Sequence, residues 1–343
     1  MNAGGGNGGL PAGKLPPELL ARLLAKIRRD DPRVIVGPGV GEDAALIDFG
    51  DKLLVAKSDP VTFATDLIGW YAVQVNANDV ACCGADPKWF LATALLPVGI
   101  SPAEVERIFD QLSDACDALG VTMIGGHTEM TLGLPRAIIS GTMLGEVAKG
   151  DEVTTAGARP GDRVILTKGI AIEGTSLLAR EARPQLEAAG VAGDVIERAA
   201  NFLHAPGISV VPEARAAHAT GGVTSMHDPT EGGLATALAE LATASGTGIA
   251  VDGDAVQILE ECAELCDALG VDPWGLIASG ALLITAGPES ASEVIDAVTA
   301  IGVAANDIGE VRPTGDGLTL RTGGAESPLP TFARDELARI LGE

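Results

Sequence analysis

Between Ile68 and Cys83, apolar residues recur at helical spacing as Ile68, Ala72, Val75 and Cys82, and the same stripe contains Asp79 with Asn76 and Asn78 beside it. A carboxylate on the buried face of a helix, left alone, costs on the order of several kcal/mol. It must be ion-paired, hydrogen-bonded or bound to a metal. An internal salt bridge or a cap meets that demand as well as a cation does, so the helix alone leaves the choice open.

Whatever surrounds this helix has to be aliphatic. Hydrophobic residues make up 46% of the chain, yet it has only six Phe, three Trp and one Tyr. Ala, Val, Leu and Ile must fill the core, a composition that suits layered α/β structure. At about 150 residues per domain, 343 residues predict a two-domain fold of the α/β or α+β type. Residues 1–15 form a Gly-rich head read as disordered. Pro16-Pro17 open an amphipathic helix carrying Leu19, Leu20, Leu23, Leu24 and Ile27. Strands are expected over Val34 to Val36, Leu53 to Ala56, Phe90 to Leu96 and Ala137 to Leu144. Ser101, Pro102 and Glu104 form a capping box, and Gly120 stops that helix. The turn cluster Ala158 to Asp162 sets a boundary near 148–160, giving domains over 16–150 and 155–330 and a terminal helix over 331–343. A second capped helix is expected from Ser290, with Glu293 three residues on, to Gly302. The words Cys116-Asp-Ala-Leu-Gly-Val121 and Cys266-Asp-Ala-Leu-Gly-Val271 are identical, hinting at related helix-turn-strand joints.

Charge removes several partner classes. With 23 Lys plus Arg against 47 Asp plus Glu, the formal charge of −24 repels nucleic acid and anionic lipid. The chain has no long apolar run and no signal-like core, so a cytoplasmic protein is expected. Five cysteines are an odd number and imply reduced thiols. Cys262 and Cys266 are spaced i, i+4, but lack a second Cys or His pair to complete a zinc site. Cys116 reads as core.

Acids and glycines recur together elsewhere. One tract runs from Gly37 through Gly41, Glu42 and Asp43 to Ala45, and another is Lys57-Ser58-Asp59-Pro60 at a strand end. Such pairings suit a magnesium-phosphate site, because carboxylates hold the hard cation while glycines let backbone N–H groups reach phosphate. Each is also an ordinary turn sequence. A third tract, Gly125-Gly126-His127-Thr128-Glu129, follows an expected strand Val121 to Ile124. The fourth, His227-Asp228-Pro229-Thr230-Glu231-Gly232-Gly233, precedes an apolar helix. There Asp228 reads as the N-cap, Pro229 as the first helical residue, and the free amides as an alternative phosphate or carboxylate site. Walker A, G-x-S-x-G and post-strand G-x-G-x-x-G motifs are absent.

In this order, Gly41-Glu42-Asp43-Ala44-Ala45, Ser58-Asp59-Pro60, Asn76-Ala77-Asn78-Asp79 with Gly84-Ala85-Asp86-Pro87, Gly125-Gly126-His127-Thr128 and Asp228 to Gly233 resemble the superfamily of aminoimidazole-ribonucleotide (AIR) synthetase, HypE, selenophosphate synthetase and thiamine-monophosphate kinase. The resemblance spans most of residues 14–325. It implies an AIR-synthase-like N-terminal domain that contributes strands to a dimeric barrel, and a C-terminal α/β domain. It further implies ATP and Mg as cofactors, with Asp43, Asp59 and Asp79 holding the metal and Asp228 facing the cleft. Gly41, Asn78, Gly125, Gly126, Thr128, Lys168, Gly232 and Gly233 become candidate nucleotide contacts. Lys168 is otherwise a solvated lysine. His127 and His227 are candidates for proton transfer, or for structural hydrogen bonding.

Departures from the subfamilies matter. HypE ends in a cysteine, and this sequence has none after Cys266. The Gly-rich head lacks the reactive residue of selenophosphate synthetase. Thiamine-monophosphate kinase usually has Asp where His127 stands. The expected activity is ATP-dependent phosphorylation of an amide-like oxygen for dehydration or ring closure, in a HypE-like homodimer serving hydrogenase maturation. Its substrate would be a small molecule or a protein thiocarboxamide, and a maturation protein its partner. A thiamine-monophosphate-kinase-like phosphotransferase and a non-catalytic nucleotide-binding scaffold are the alternatives.

Overall fold

A computed structural model describes residues 14–342 apart from Arg28 and Arg29, so most of the glycine-rich head lies outside the described residues. The first half runs α1 (Pro17–Leu24), β1 (Val34–Val36), β2 (Ala45–Asp48), β3 (Lys52–Val61), α2 (Ile68–Cys82), β4 (Asp86–Pro97), α3 (Pro102–Leu119), β5 (Thr122–Thr131) and β6 (Ile138–Ala148). The second half begins with β7 (Arg163–Thr167), α4 (Ile172–Glu181), α5 (Arg183–Ala188), α6 (Gly193–Ala200), α7 (Val211–His218), β8 (Val223–His227) and α8 (Gly233–Ser245). It continues with β9 (Gly248–Asp252), α9 (Glu260–Leu269), β10 (Leu283–Ala286), α10 (Ala291–Ala300), β11 (Ala305–Arg312), β12 (Leu318–Thr322), β13 (Ala325–Pro328) and α11 (Glu336–Leu341).

The first sheet has the order β1-β2-β3-β6-β4-β5, antiparallel except where β4 meets β5. Along β6 half-buried and buried residues alternate, the pattern of a sheet packed on one face. That face carries α2, which reaches it only because two β6 positions are glycines. A Cβ on Gly141 would stand 2.4 Å from Asn76 Nδ2, and one on Gly145 2.4 Å from Val80 Cγ1. At the far edge β5 is exposed along nearly its whole length.

The second sheet, β13-β12-β9-β11-β7-β10-β8, is antiparallel apart from β12 and β9. One of its faces is covered by α8, whose Leu234 and Leu238 pack with Val164, Leu166 and Ile308. A larger core joins the first sheet, α2 and the helices α4, α6, α7 and α10 in one cluster. The halves are stapled by Asn78, whose Nδ2 donates to the Ile208 carbonyl at 2.8 Å while its Oδ1 accepts from the Val210 N–H at 2.8 Å.

The repeated hexapeptides make the same helix stop. Gly120 and Gly270 adopt φ of 67° and 60°, and the Val121 and Val271 amides donate to the Cys116 and Cys266 carbonyls at 2.9 Å each. Beyond that cap they differ, since Val121 leads into a strand and Val271 into a short 3-10 turn at Pro273–Gly275.

Three local expectations need correction. The capping box forms at Ser101, but Ser290 sits at φ −102°, ψ −17° and makes no side-chain cap, because its backbone already lies in the helical region. Asp228 does not cap α8, which starts five residues later behind Gly232; Asp228 is instead 1% exposed. Gly125 and Gly126 lie inside β5 rather than after a strand. Gly126 is required there by φ 153° and by the approach of β4, since a Cβ would fall 1.9 Å from the Ala92 carbonyl oxygen. Gly126→Ala is therefore expected to lower unfolding free energy by about 2–4 kcal/mol in urea titration.

Candidate functional site

Four segments converge where the two sheets meet. Lys57 and Asp59 point the same way from β3, being two residues apart on a strand. The loop before β2 supplies Asp43, α2 supplies Asp79 and Cys82, and the end of β8 supplies His227 and Asp228. Asn76 locks β3 to α2: its Oδ1 accepts from the Asp59 N–H at 2.9 Å and its Nδ2 donates to the Asp59 carbonyl at 3.1 Å.

The carboxylate on the apolar helix face finds a cation. Lys57 Nζ donates to Asp79 Oδ1 at 3.0 Å and stands 3.8 Å from Asp59 Oδ2. Asp43 Oδ1 lies 2.7 Å from His227 Nδ1, and Glu240 Oε2 of α8 lies 3.2 Å from His227 Nε2. Cys82 Sγ reaches Asp228 Oδ1 at 3.6 Å, while Asp228 Oδ2 is buried without a partner.

Burial and crowding set the protonation states. Burial first, then Asp228, Asp59 and Asp43, push Asp79 well above the ordinary carboxyl range, against the pull of Lys57. Burial and then Asp43 raise Asp228 to about 6. Burial opposes charge on His227, but Asp43 and Glu240 outweigh it and hold the imidazole protonated well above its usual range. Burial likewise opposes charge on Lys57, and Asp79 outweighs it. Burial raises Cys82, with Asp228 adding to it, so the thiol keeps its proton.

The donor set fits a hard divalent cation. Ligand atoms of Asp43, Cys82 and Asp228 lie within 4.8 Å of one another, so they can converge on one ion. With a protonated thiol, the useful ligands are the carboxylate oxygens of Asp43 and Asp228, with Asp79 next to them. Oxygen donors suit magnesium. The free Asp228 Oδ2 is an acceptor that nothing among the described residues uses.

Of the residues singled out in the sequence, Asp43, Asp79, His227 and Asp228 come together, with the half-exposed Asp59 at the mouth. Others do not. Asp59, Gly141, Ala92 and Gly126 lie in one row across the first sheet. At roughly 4.8 Å per strand, Gly125, Gly126, His127 and Thr128 are about 14 Å from Asp59 on the exposed edge. His127 Nε2 pairs there with Glu129 at 3.1 Å. Asn78 spends both amide atoms on the inter-half staple. Gly41 packs against α8, where a Cβ would stand 2.8 Å from the Glu240 carbonyl oxygen. The helix-start amides are taken as well: Gly232 N–H donates to Asp335 Oδ2 at 2.6 Å and Gly233 N–H to the Thr230 carbonyl at 3.0 Å. Lys168 is buried, with its ammonium on Glu213 at 2.7 Å and on the Gly207 and Ser209 carbonyls. It is not a solvated lysine, and it has no proton left for a phosphate.

Sequence reasoning passed over Lys57, Cys82, Glu240 and Glu173. Strand alternation with Asp59 was a usable signal for Lys57. An acid inside the apolar run Ile170-Ala171-Ile172-Glu173 was one for Glu173, which is 6% exposed with Oε2 unpartnered. Burial raises its carboxyl to about 7. Glu240 has no local signal, because His227 reaches it only in the fold.

The model for the AIR synthase related protein N-terminal domain matches residues 41–147, and that for the C-terminal domain matches 159–320. Carbamoyl dehydratase HypE of Rhizobium leguminosarum bv. viciae is 31% identical over 280 residues, covering 79% of this chain and 77% of that one. A crystal structure of hydrogenase maturation protein HypE in complex with ATP superposes with a TM-score of 0.71 at 24% identity, covering 96% of this chain and 98% of that one. A crystal structure of the HypE-HypF complex gives 0.72 at 22%, covering 92% and 99%.

A carboxyl raised in the folded state favours folding below its unfolded pKa and costs stability once pH exceeds the folded value. For Glu173 that window runs from 4.5 to about 7, worth about 3 kcal/mol. Glu173→Gln should therefore lose less stability than the wild type between pH 4.5 and pH 8 in denaturant titrations. Identical profiles would remove Glu173 from this account.

Proposed function

The chain belongs to the AIR synthase related protein family, and on that premise we propose that it is an ATP- and magnesium-dependent enzyme of the HypE type that phosphorylates an amide-like oxygen for dehydration. The observation that carries this reading is the meeting of Asp43, Asp79 and Asp228, three buried carboxylates from both halves of the chain, with Asp228 Oδ2 free. A relative bears the name carbamoyl dehydratase, and a neighbour of the same fold was solved with ATP.

Asp43 and Asp228 would hold magnesium, with Asp79 and the half-exposed Asp59 beside them completing the set. Magnesium with ATP supplies neutralisation of phosphate charge for in-line transfer. Bound there, ATP would supply the γ-phosphoryl for the carbonyl oxygen of a carbamoyl-type group, carried on a protein thiol or in a small amide. The nitrogen then loses its protons, the C–O bond breaks with phosphate as leaving group, and a nitrile-type C≡N remains. Both nitrogens of His227 are engaged, so its part is to position Asp43 rather than to shuttle protons. Glu173, buried and with Oε2 free, would take one of the two protons from nitrogen, and the departing phosphate would carry the other.

The β5 edge supports a homodimer through the N-terminal half, with strands of two copies closing a barrel. Ile124, Met130 and Leu132 are 51%, 62% and 86% exposed there, and an uncovered strand edge invites pairing. Gly125 to Thr128 would then serve the nucleotide across the dimer. A partner of the kind seen in the HypE-HypF complex delivers the substrate.

Calorimetry with ATP should show binding that requires magnesium and that weakens at least tenfold in Asp79→Asn; no binding by the wild type in either condition would sink the enzyme reading. Light scattering should report twice the chain mass for the wild type and a monomer for Met130→Lys, whereas a monomeric wild type would remove the barrel.

A further inference from the structure

Away from the carboxylates, a cavity of about 330 Å³ opens between the N-terminal turns of α2 and the segment leading into α7. That volume is at the small end of ligand sites, which run to roughly 300–1,000 Å³. Its floor is buried and polar: Gln74 is 2% exposed, Glu213 1% and Lys168 8%. Its mouth is formed by Trp70 and His204, whose rings meet edge to face at 5.2 Å.

Seven buried side-chain polar atoms among the described residues lack a hydrogen-bond partner, and four of them belong to residues that line this one cavity: Trp70 Nε1, Gln74 Oε1, Ser209 Oγ and Glu213 Oε2. Leaving such atoms unpaired costs roughly 1–3 kcal/mol apiece. That so many gather in one place marks a site built for something else to satisfy them.

Their chemistry specifies the occupant. Gln74 Oε1 and Glu213 Oε2 can only accept, Trp70 Nε1 can only donate, and Ser209 Oγ does either. The three Lys168 protons are all spent, on Glu213, Gly207 and Ser209, so no free cation awaits an anion. Lys168 and Glu213 cancel in charge. Trp70 and His204 offer ring surfaces, and Leu203 and Ile208 are apolar walls. We propose that this cavity is a second binding site, distinct from the carboxylate cleft, for a neutral planar heterocycle that carries an amino group beside a ring nitrogen, as a nucleobase does.

The test is calorimetric titration of the full chain with free adenine and free cytosine, and with purine, which lacks the amino group. Adenine or cytosine should bind, and purine should bind at least tenfold more weakly than adenine. Gln74→Leu removes an acceptor that has no protein partner, so the variant should fold and should bind the base at least tenfold more weakly. Trp70→Phe keeps a ring, deletes the donor and should weaken binding similarly. Asp79→Asn should leave base binding unchanged. The proposal is overturned if neither base binds the wild type, if both cavity variants bind as the wild type does, or if Asp79→Asn abolishes binding, since the base would then occupy the carboxylate cleft.

Discussion

Everything around the candidate site depends on keeping like charges together away from water. Asp43, Asp79 and Asp228 are all nearly buried, and the charge of Asp43 adds to burial in raising the proton affinity of Asp79 and Asp228. Such a cluster persists only with compensating positive charge or bound protons. Lys57 supplies it on one flank and protonated His227 on the other. Glu240 sits behind His227, and burial, which would raise its carboxyl, is overcome by His227 so that it falls to about 2. The result is a charge-balanced cluster, in which acids meant for a cation are held together by fixed cationic side chains.

That arrangement needs a rigid floor, and α2 provides it. The glycines at 141 and 145 let this helix lie directly on β6, Asn76 ties it to β3, and Asn78 ties it to the second half. Three neighbouring positions thus do three separate jobs: Asn76 fixes the strand that carries Asp59, Asn78 fixes the domain partner, and Asp79 faces the cleft between them. The apolar cluster that runs from the first sheet into α4, α7 and α10 makes the joint a packed core rather than a hinge.

Much of this was legible in the chain. The capping box at Ser101 and the stops at Gly120 and Gly270 are local hydrogen-bond patterns, so sequence reads them directly. Asp79 announced itself by standing on an apolar stripe. Other readings failed because the deciding atoms were distant. Asp228 before Pro229 has the form of a helix start, yet α8 begins behind Gly232, whose amide is held by Asp335 more than a hundred residues later. The glycines at 125 and 126 read as following a strand, yet they lie inside β5, where the near approach of β4 requires Gly126.

By itself the sequence determined that a carboxylate would be buried at residue 79, that aliphatic layers would surround it, and that acid-and-glycine tracts would follow in a particular order. These follow from periodicity, composition and local caps, which act over a few residues. Only the tertiary structure decided which tracts share a site. Asp43 and His227 are 184 positions apart and meet at 2.7 Å, whereas Gly126 lies in the same row as Asp59 but three strands away. The reason is physical: sheet order and the packing of one half on the other set distances between remote residues, and no local propensity encodes them.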